Sequence, residues 1–195
     1  MISCLNAART AFVIAGMLLY VLSPLAASEI EGLIRTVAGE GAGEWGSPNE
    51  PRIYPIAVAM DRQGGVLIAD PANNAIHQLI NDDTYIMTIC NYGYINGYAQ
   101  SGYGGDGGYA LSAMLSGPEG VAVDSMNNIF IADTGNGRIR KIDAQTGIIT
   151  TVAGDGVYLG GTGTAPGDGG PATDALLSPK RVAVDSAGNL YIADS

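Results

Sequence analysis

The sequence predicts an all-β fold, a β-propeller of four-stranded antiparallel blades in an incomplete ring with about two and a half blades present. The first observation is a short apolar segment ending in aspartate that occurs three times, at 57–61, 120–124 and 181–185. The second is an Ile-Ala-Asp that follows each copy and ends nine residues after it, at Asp70, Asp133 and Asp194. Short apolar segments that repeat at fixed spacing are typical of propeller blades.

The second repeat shows the four strands of a blade most clearly. Strands are predicted from apolar and β-branched residues at 120–124, 129–133, 138–142 and 148–153. The turn 125–128 holds two asparagines, which tolerate the left-handed backbone of a tight hairpin. The third strand alternates polar and apolar residues, as a half-exposed strand does. We therefore expect four-stranded sheets over 56–90 and 119–153, and two strands over 181–194.

The propeller is expected to span residues 29–195, with repeats at about 34–90, 91–154 and 155–195. Residues 34–39 match the fourth strand of a blade, because Thr36 to Gly39 returns at Thr151 to Gly154. These strands are too few to close a ring of four to eight blades. Further blades are expected from chain outside this sequence, with the strand 34–39 completing the last of them. Helix is expected only as a turn around 172–177.

The first 28 residues predict a signal peptide. Arg9 precedes an uninterrupted apolar segment at 11–22, Pro24 breaks that segment, and Ala26 to Ser28 supplies the small residues that signal peptidase accepts. A membrane span would need roughly 20 apolar residues, so no span is expected after cleavage. We therefore expect a secreted or periplasmic protein.

Cleavage leaves an acidic chain with one cysteine. Arg9 is lost, so eight basic residues face nineteen acidic ones and the net charge is −11. This charge repels phosphate backbones, and nucleic acid is not expected as a partner. Cys90 is then alone, so the fold must be held by packing and not by an internal disulfide. The sequence favours a buried Cys90 and leaves an exposed, reactive thiol as the alternative.

The second repeat closely resembles the NHL repeat in three segments, GPEGVAVD at 117–124, NIFIADT at 128–134 and NGRIRKI at 136–142. The segment GDGGPAT at 167–173 resembles an insertion found in some bacterial NHL proteins and in the teneurin propeller. The resemblance implies a propeller of the kind that serves as a binding platform, a sensor domain or, in some members, an enzyme. The first repeat departs from the pattern, with Ala75 where the family has arginine.

The aspartates that end the second strands are interpreted as structural. Asp70, Asp133 and Asp194 each enter a turn, where a carboxylate can accept hydrogen bonds from nearby backbone amides. In the second repeat Asn136 and Arg138 belong to the same turn, and Asp133 is expected to reach Arg138. The alternative is a ring of carboxylates that binds a cation.

Two glycine-rich inserts, at 93–118 and 156–179, are expected to lie on the same face as the turn 133–138. The loop from Tyr92 to Tyr109, which enters the first insert, carries five tyrosines among glycine and asparagine, a composition typical of adaptable recognition surfaces: Tyr92, Tyr94, Tyr98, Tyr103 and Tyr109. The open alternative is that these tyrosines pack the insert onto the blade.

Metal sites have weaker support. Asp106 and Asp168 are candidates for calcium, which takes oxygen ligands from carboxylates and backbone carbonyls, but each loop offers one carboxylate at its tip. Tight backbone turns explain the same glycines. His77 is the only histidine, so neither a histidine-based zinc site nor a catalytic triad is expected, and His77 is assigned to a turn exit.

Two classes of function follow. The first is a non-catalytic binding or sensor scaffold that uses its loop face to hold a protein, peptide or glycan, without a cofactor. The second is a metal-dependent enzyme, lactonase- or lyase-like, with its site in blades outside this sequence. The innermost predicted strands are almost wholly apolar before each aspartate, which favours the binding class.

We predict cleavage near Ser28, which leaves a mature chain starting at Ser28 or Glu29, because the small residues there follow a complete apolar segment. N-terminal sequencing of the exported protein checks this. Recovery of Met1 on the secreted or periplasmic form would contradict it.

Overall fold

The computed structural model describes residues 53–80, 85–91, 94–95, 98–156 and 168–195, together with the backbone of three strands within residues 10–39. In these residues the regular structure is all-β, apart from short 3-10 turns at Ala110–Ser112, Thr134–Asn136 and Ala172–Asp174. The last of these lies where the sequence predicts a helical turn. The all-β prediction is confirmed.

The N-terminal strands form a three-stranded antiparallel sheet in chain order: β1 Thr10–Ile14, β2 Leu18–Ser23 and β3 Leu33–Gly39. β1 and β2 fall inside the segment predicted as a signal peptide, and β2 is the neighbour of β3. Cleavage near Ser28 would remove both strands from β3, so this sheet and a cleaved signal cannot exist in the same molecule.

Two four-stranded antiparallel sheets with strands in chain order form the first and second blades. The first contains β4 Ala57–Met60, β5 Val66–Asp70, β6 Ala75–Ile80 and β7 Tyr85–Cys90. A short hairpin follows, formed by β8 Tyr94–Ile95 and β9 Tyr98–Ala99. The second blade contains β10 Pro118–Val123, β11 Ile129–Asp133, β12 Arg138–Ile142 and β13 Ile149–Ala153. Both predicted blades are confirmed.

A two-stranded sheet begins the next blade, as predicted for 181–194, with β14 Pro179–Val184 and β15 Leu190–Asp194. The first strands of successive units lie side by side. An added Cβ on Gly120 in β10 would lie 2.9 Å from the Cα of Arg181 in β14. Blades therefore meet along their innermost strands, as in a propeller.

The ladders of the two full blades correspond residue by residue. Asp70 pairs with Ala75 across β5 and β6, as Asp133 pairs with Arg138 across β11 and β12. Each third strand has an irregularity before the same position, between Ile76 and His77 and between Ile139 and Arg140. His77 in the first blade therefore occupies the position of Arg140 in the second.

Apolar side chains join the two blades through residues 91–117. This segment contains most of the first glycine-rich insert, and we call it the insert from here on. One buried cluster combines side chains of both blades and the insert, including Leu67, Cys90, Leu115, Ile131 and Ile149. A second cluster joins the second blade to the β14–β15 sheet and includes Ala132, Ile139 and Val182. Burial of this apolar surface, at roughly 25 cal/mol per Å², is the main force that holds the units together.

In the described part of the chain, no helix has the length and apolar character needed to cross a membrane.

We predict that Gly120→Val lowers the free energy of unfolding by about 1–3 kcal/mol, because the new side chain meets the backbone of β14. The added Cβ would also lie 3.0 Å from the carbonyl oxygen of Lys180. Chemical denaturation checks this, with Ala183→Val at an exposed position of β14 as the matched control. Equal losses of unfolding free energy in the two variants would show that the close approach of β10 and β14 does not cause the effect.

Candidate functional site

The aspartate that ends each second strand ties that strand to the start of its own repeat. A carboxylate oxygen of Asp70 accepts the backbone N–H of Tyr54 at 3.1 Å. Equivalent bonds run from Ser116 to Asp133 at 2.8 Å and from Ser178 to Asp194 at 2.5 Å. The same bond in all three repeats is what a structural turn residue makes, and it occupies the carboxylate that a cation ring would need.

In the two full blades the turn asparagine completes this arrangement. The side-chain amide of Asn73 donates to Asp70 at 2.7 Å, and that of Asn136 donates to Asp133 at 2.8 Å. Asp70 and Asp133 are both fully buried. Burial raises the pKa of Asp133 to about 6, against the opposing effect of these hydrogen bonds and of Arg140.

Arg140, and not Arg138, is the cationic partner of Asp133. Its fully buried guanidinium places Nη1 3.3 Å from Oδ2 of Asp133. Arg138 lies at the exposed end of the same strand, where it donates to the carbonyl of Asn136 at 3.0 Å and to that of Asp155 at 2.6 Å. The expectation that Asp133 reaches Arg138 is therefore wrong. Side chains two apart on a strand share a face, and the inner of the two reaches the buried carboxylate.

Asp106 is the second carboxylate that binds Arg140. Its Oδ1 accepts from Nε of Arg140 at 3.1 Å and from Nη2 at 2.6 Å. Its Oδ2 accepts the N–H of Thr151 at 3.1 Å and the hydroxyl of Tyr103 at 3.0 Å. Burial raises the pKa of Asp106, but the bonds from Thr151 and Arg140 outweigh it and hold that pKa below its usual range.

This geometry gives the glycine-aspartate motif of the insert a structural role. Asp106 and Asp168, in the corresponding motif, are both exposed, and Asp106 balances the charge of a buried guanidinium. A calcium ion on Asp106 would have to compete with Arg140. Among the residues that the structure describes, no three histidine, cysteine, aspartate or glutamate side chains are grouped as metal ligands.

The insert closes the outer edge of the second blade. Its residues 102–115 fold back on themselves, with the N–H of Gly102 donating to Leu115 at 3.0 Å. The N–H groups of Gly107 and Ile149 then donate to the carbonyls of Ile149 and Gly108, at 2.9 and 3.0 Å. The insert thus hydrogen-bonds to the outer edge of β13. A Cβ on Gly105 would lie 2.6 Å from the Cα of Ala113, so this fold-back requires glycine there.

The insert carries its two described tyrosine side chains toward opposite ends of the blade. The ring of Tyr103 lies under Arg138, with 3.9 Å from the guanidinium carbon to the ring centroid, near the turn 133–138. Tyr109 pairs with Ile148, at the β12–β13 hairpin on the other end. The expectation that the insert shares one face with the turn 133–138 is therefore wrong for Tyr109. The side chains of Tyr92, Tyr94 and Tyr98 lie outside the described residues.

A cleft of about 660 Å³ opens between the two blades beside Tyr109. Its apolar floor includes Leu67 and Ile142, and its polar wall includes Asp61, Gln63 and Asn127. These polar groups bond largely to one another and to nearby backbone: Asp61 accepts from Gln78 at 3.0 Å, and Asn127 donates to Gln63. Asp61, Gln63 and Asn127 are therefore already hydrogen-bonded within the protein.

The structure corrects the interpretation of His77 and decides between the two alternatives for Cys90. His77 is 2% exposed inside β6, so its assignment to a turn exit is wrong. Its equivalence to Arg140 could have been found by carrying the 63-residue step from Asp70 to Asp133 through to the third strand. Cys90 is fully buried, and burial raises the pKa of its thiol to about 12, so it is a packed thiol and not a reactive thiolate.

The comparisons with known proteins agree with these blades. Residues 115–142 match the NHL repeat family. The chain is 37% identical to NHL repeat-containing protein 2 of Gallus gallus over 111 residues, which are 56% of this chain and 14% of that protein. The chain therefore contains an NHL repeat at residues 115–142. It spans a small part of this curated relative, so the activity of the whole protein is a matter for proposal.

Solved structures share the propeller fold at low identity. A protein of unknown function from Bacteroides thetaiotaomicron has a TM-score of 0.63 at 20% identity, over 95% of this chain and 41% of that one. An auxiliary nutrient binding protein from Bacteroides ovatus has a TM-score of 0.58 at 12% identity, over 97% and 43%. A streptogramin B lyase has a TM-score of 0.55 at 15% identity, over 95% and 44%. Proteins of this fold therefore include a binding protein and an enzyme, and the likeness shows the fold alone.

We predict that Asp106→Ala lowers the free energy of unfolding by about 1–3 kcal/mol, because it leaves donors of the buried Arg140 without an acceptor. Asp168→Ala, in the copy of the motif outside the insert, should have little effect. Denaturant titration of both variants measures the difference. Stabilisation of the wild type, but not of Asp106→Ala, by added calcium would instead support a calcium site.

Proposed function

We propose that this chain is part of an exported NHL propeller that acts as a non-catalytic binding or sensor scaffold, with the insert as its main contact surface. Its partner is a protein, peptide or glycan outside the cytoplasm. The observation that carries the proposal is a pair of exposed aromatic rings on a rigidly held insert. Tyr103 is 43% exposed and Tyr109 is 71% exposed.

The insert is held firmly enough to present these rings without ordering on binding. Its backbone pairs with β13, and its Asp106 bonds to the buried Arg140 at 2.6 Å. Tyr103 is fixed further, because its hydroxyl lies 3.2 Å from that of Thr151 and its ring packs under Arg138. Immobilising a side chain on binding costs about 0.5–1.5 kcal/mol, and a ring that is already fixed avoids much of that cost.

Exposed tyrosines on such a frame suit recognition. Tyrosine gives a large contact area with few rotatable bonds and a polar end that can hydrogen-bond, and it is enriched among residues that dominate binding energy. The guanidinium of Arg138 beside Tyr103 adds donors for a carbonyl or hydroxyl of the partner. The net charge of −10 favours neutral or basic partners over nucleic acid.

Export is proposed from the signal-like start, which has a basic residue, an apolar segment and a small-residue exit. Structural likeness to an auxiliary nutrient binding protein is compatible with a role of this kind outside the cytoplasm.

We predict that Tyr109→Ala weakens partner binding by at least tenfold and leaves the unfolding midpoint unchanged, because this exposed ring contributes little to packing. Partner capture from the extracytoplasmic fraction, followed by titration of the identified partner, measures the first effect. Thermal unfolding measures the second. The matched control is Met126→Ala, which removes another exposed side chain, 71% exposed, outside the insert.

Tyr103 needs a milder substitution, because it also supports Asp106. Tyr103→Phe keeps the ring and removes one donor, so it separates ring contact from hydrogen bonding. Partner binding that is unaffected by both tyrosine changes would contradict the proposal. Turnover of a lactone or similar substrate that depends on a divalent metal and on a channel-facing carboxylate would establish the enzyme alternative instead.

A further inference from the structure

The structure points to a pH-sensitive device in the first blade. We propose that His77 is the titratable counterpart of Arg140, and that its protonation completes an ion pair with Asp70. This pair stabilises the end of the first blade that carries the turn 71–74. The proposal goes beyond the binding function and does not depend on it.

Three pairs of residues establish the equivalence. Asp70 and Asp133 are fully buried at the ends of β5 and β11 and accept from the same two kinds of donor, a backbone N–H and a turn asparagine. His77 pairs with Thr88 across β6 and β7, as Arg140 pairs with Thr151 across β12 and β13. One blade therefore has a permanent cation at this position, and the other has an imidazole.

The imidazole is buried between a hydroxyl and a carboxylate. His77 is 2% exposed, its Nδ1 lies 3.1 Å from Oγ1 of Thr88, and its Nε2 lies 3.4 Å from Oδ2 of Asp70. Nε2 is buried and makes no hydrogen bond. Among the described residues, Asp70 from β5 is the charged group that faces this ring, and Thr88 from β7 does not titrate near neutral pH.

Protonation changes what the ring can do. A neutral imidazole has one N–H, whereas imidazolium has two donors and a positive charge. With both nitrogens protonated, Nδ1 donates to the hydroxyl of Thr88 and Nε2 faces a carboxylate of opposite charge. The first blade then has a cation beside Asp70, as the second has Arg140 beside Asp133. Loss of the proton leaves the buried carboxylate of Asp70 without a cation.

The turn that Asp70 organises also holds the insert. Asn74 in this turn accepts the N–H of Gly117 on its side-chain oxygen at 2.8 Å, and the side-chain amide of Asn91 on its backbone carbonyl at 2.7 Å. These two contacts lie at the two ends of the insert. The charge state of His77 therefore acts on the segment that fixes how the insert leaves the first blade and reaches the second.

The sign of the effect follows from linkage. The charged imidazole has a carboxylate partner in the folded state and none in the unfolded chain. On this proposal, stability contributed by the pair is present while the ring carries its proton and is lost as pH rises and the proton is released.

The test is the pH profile of stability for wild type, His77→Arg and His77→Gln, measured on the exported protein between pH 5.5 and 8. Relative to His77→Arg, wild type should lose stability as pH rises, by up to roughly tenfold in the unfolding constant per pH unit for one linked proton. His77→Gln should lack this component. Asp133, with a pKa of about 6, titrates in all three proteins, so the differences between proteins are the readout.

A reciprocal variant and a direct probe keep the proposal testable if His77→Arg fails to fold. Arg140→His should add the same pH dependence to the second blade. His77 is the only histidine, so its ring signals in NMR need no assignment, and Asp70→Asn should move their titration to lower pH. Parallel stability profiles, stabilisation of wild type as pH rises, or a titration that Asp70→Asn leaves unchanged would overturn the proposal.

Discussion

A carboxylate buried at the end of the second strand is the constraint on which each full blade depends. Asp70 and Asp133 have no exposed surface, and removing a charge from water costs several kcal/mol unless hydrogen bonds and an opposite charge compensate. In the second blade the donors come from three places: the backbone of Ser116, the turn residue Asn136 and the third-strand residue Arg140. Satisfying one carboxylate thus joins the beginning, the turn and the third strand of the repeat.

The partner of Asp133 imposes a second constraint, and the insert meets it. A guanidinium has five N–H donors, more than one carboxylate at 3.3 Å can accept. Arg140 gives the remaining donors to Asp106 and to the carbonyls of Gly104 and Met114, all in the insert. The insert connects the two blades in sequence, and its bonds to Arg140 tie it to the second blade. The glycines around Asp106 let the chain come close enough for these bonds.

The strands and turn aspartates could be predicted from sequence because their signals are local. Strand periodicity, turn asparagines and the constant spacing to Asp133 depend on residues close together in the chain. The choice of Arg140 over Arg138, and the bond from Asp106 to Arg140 across 34 residues, depend on how the insert packs, which no local pattern encodes. The same limit applies to Tyr109. Its place in the chain suggests the face that carries the turn 133–138. Pairing beside β13 instead places it at the other end of the blade, at the β12–β13 hairpin.

These two constraints also explain how a binding surface can arise on a blade without weakening it. Arg140, which holds the insert together with Asp106, is fully buried, whereas Tyr109 is exposed and takes no part in the bonds between them. Changes at such a position alter recognition and leave the buried charges balanced. Tyr103 is the intermediate case, since its hydroxyl supports Asp106 while its ring is still partly exposed under Arg138. A partner that contacts Tyr103 therefore meets a ring whose orientation is already set by the charge network that stabilises the blade.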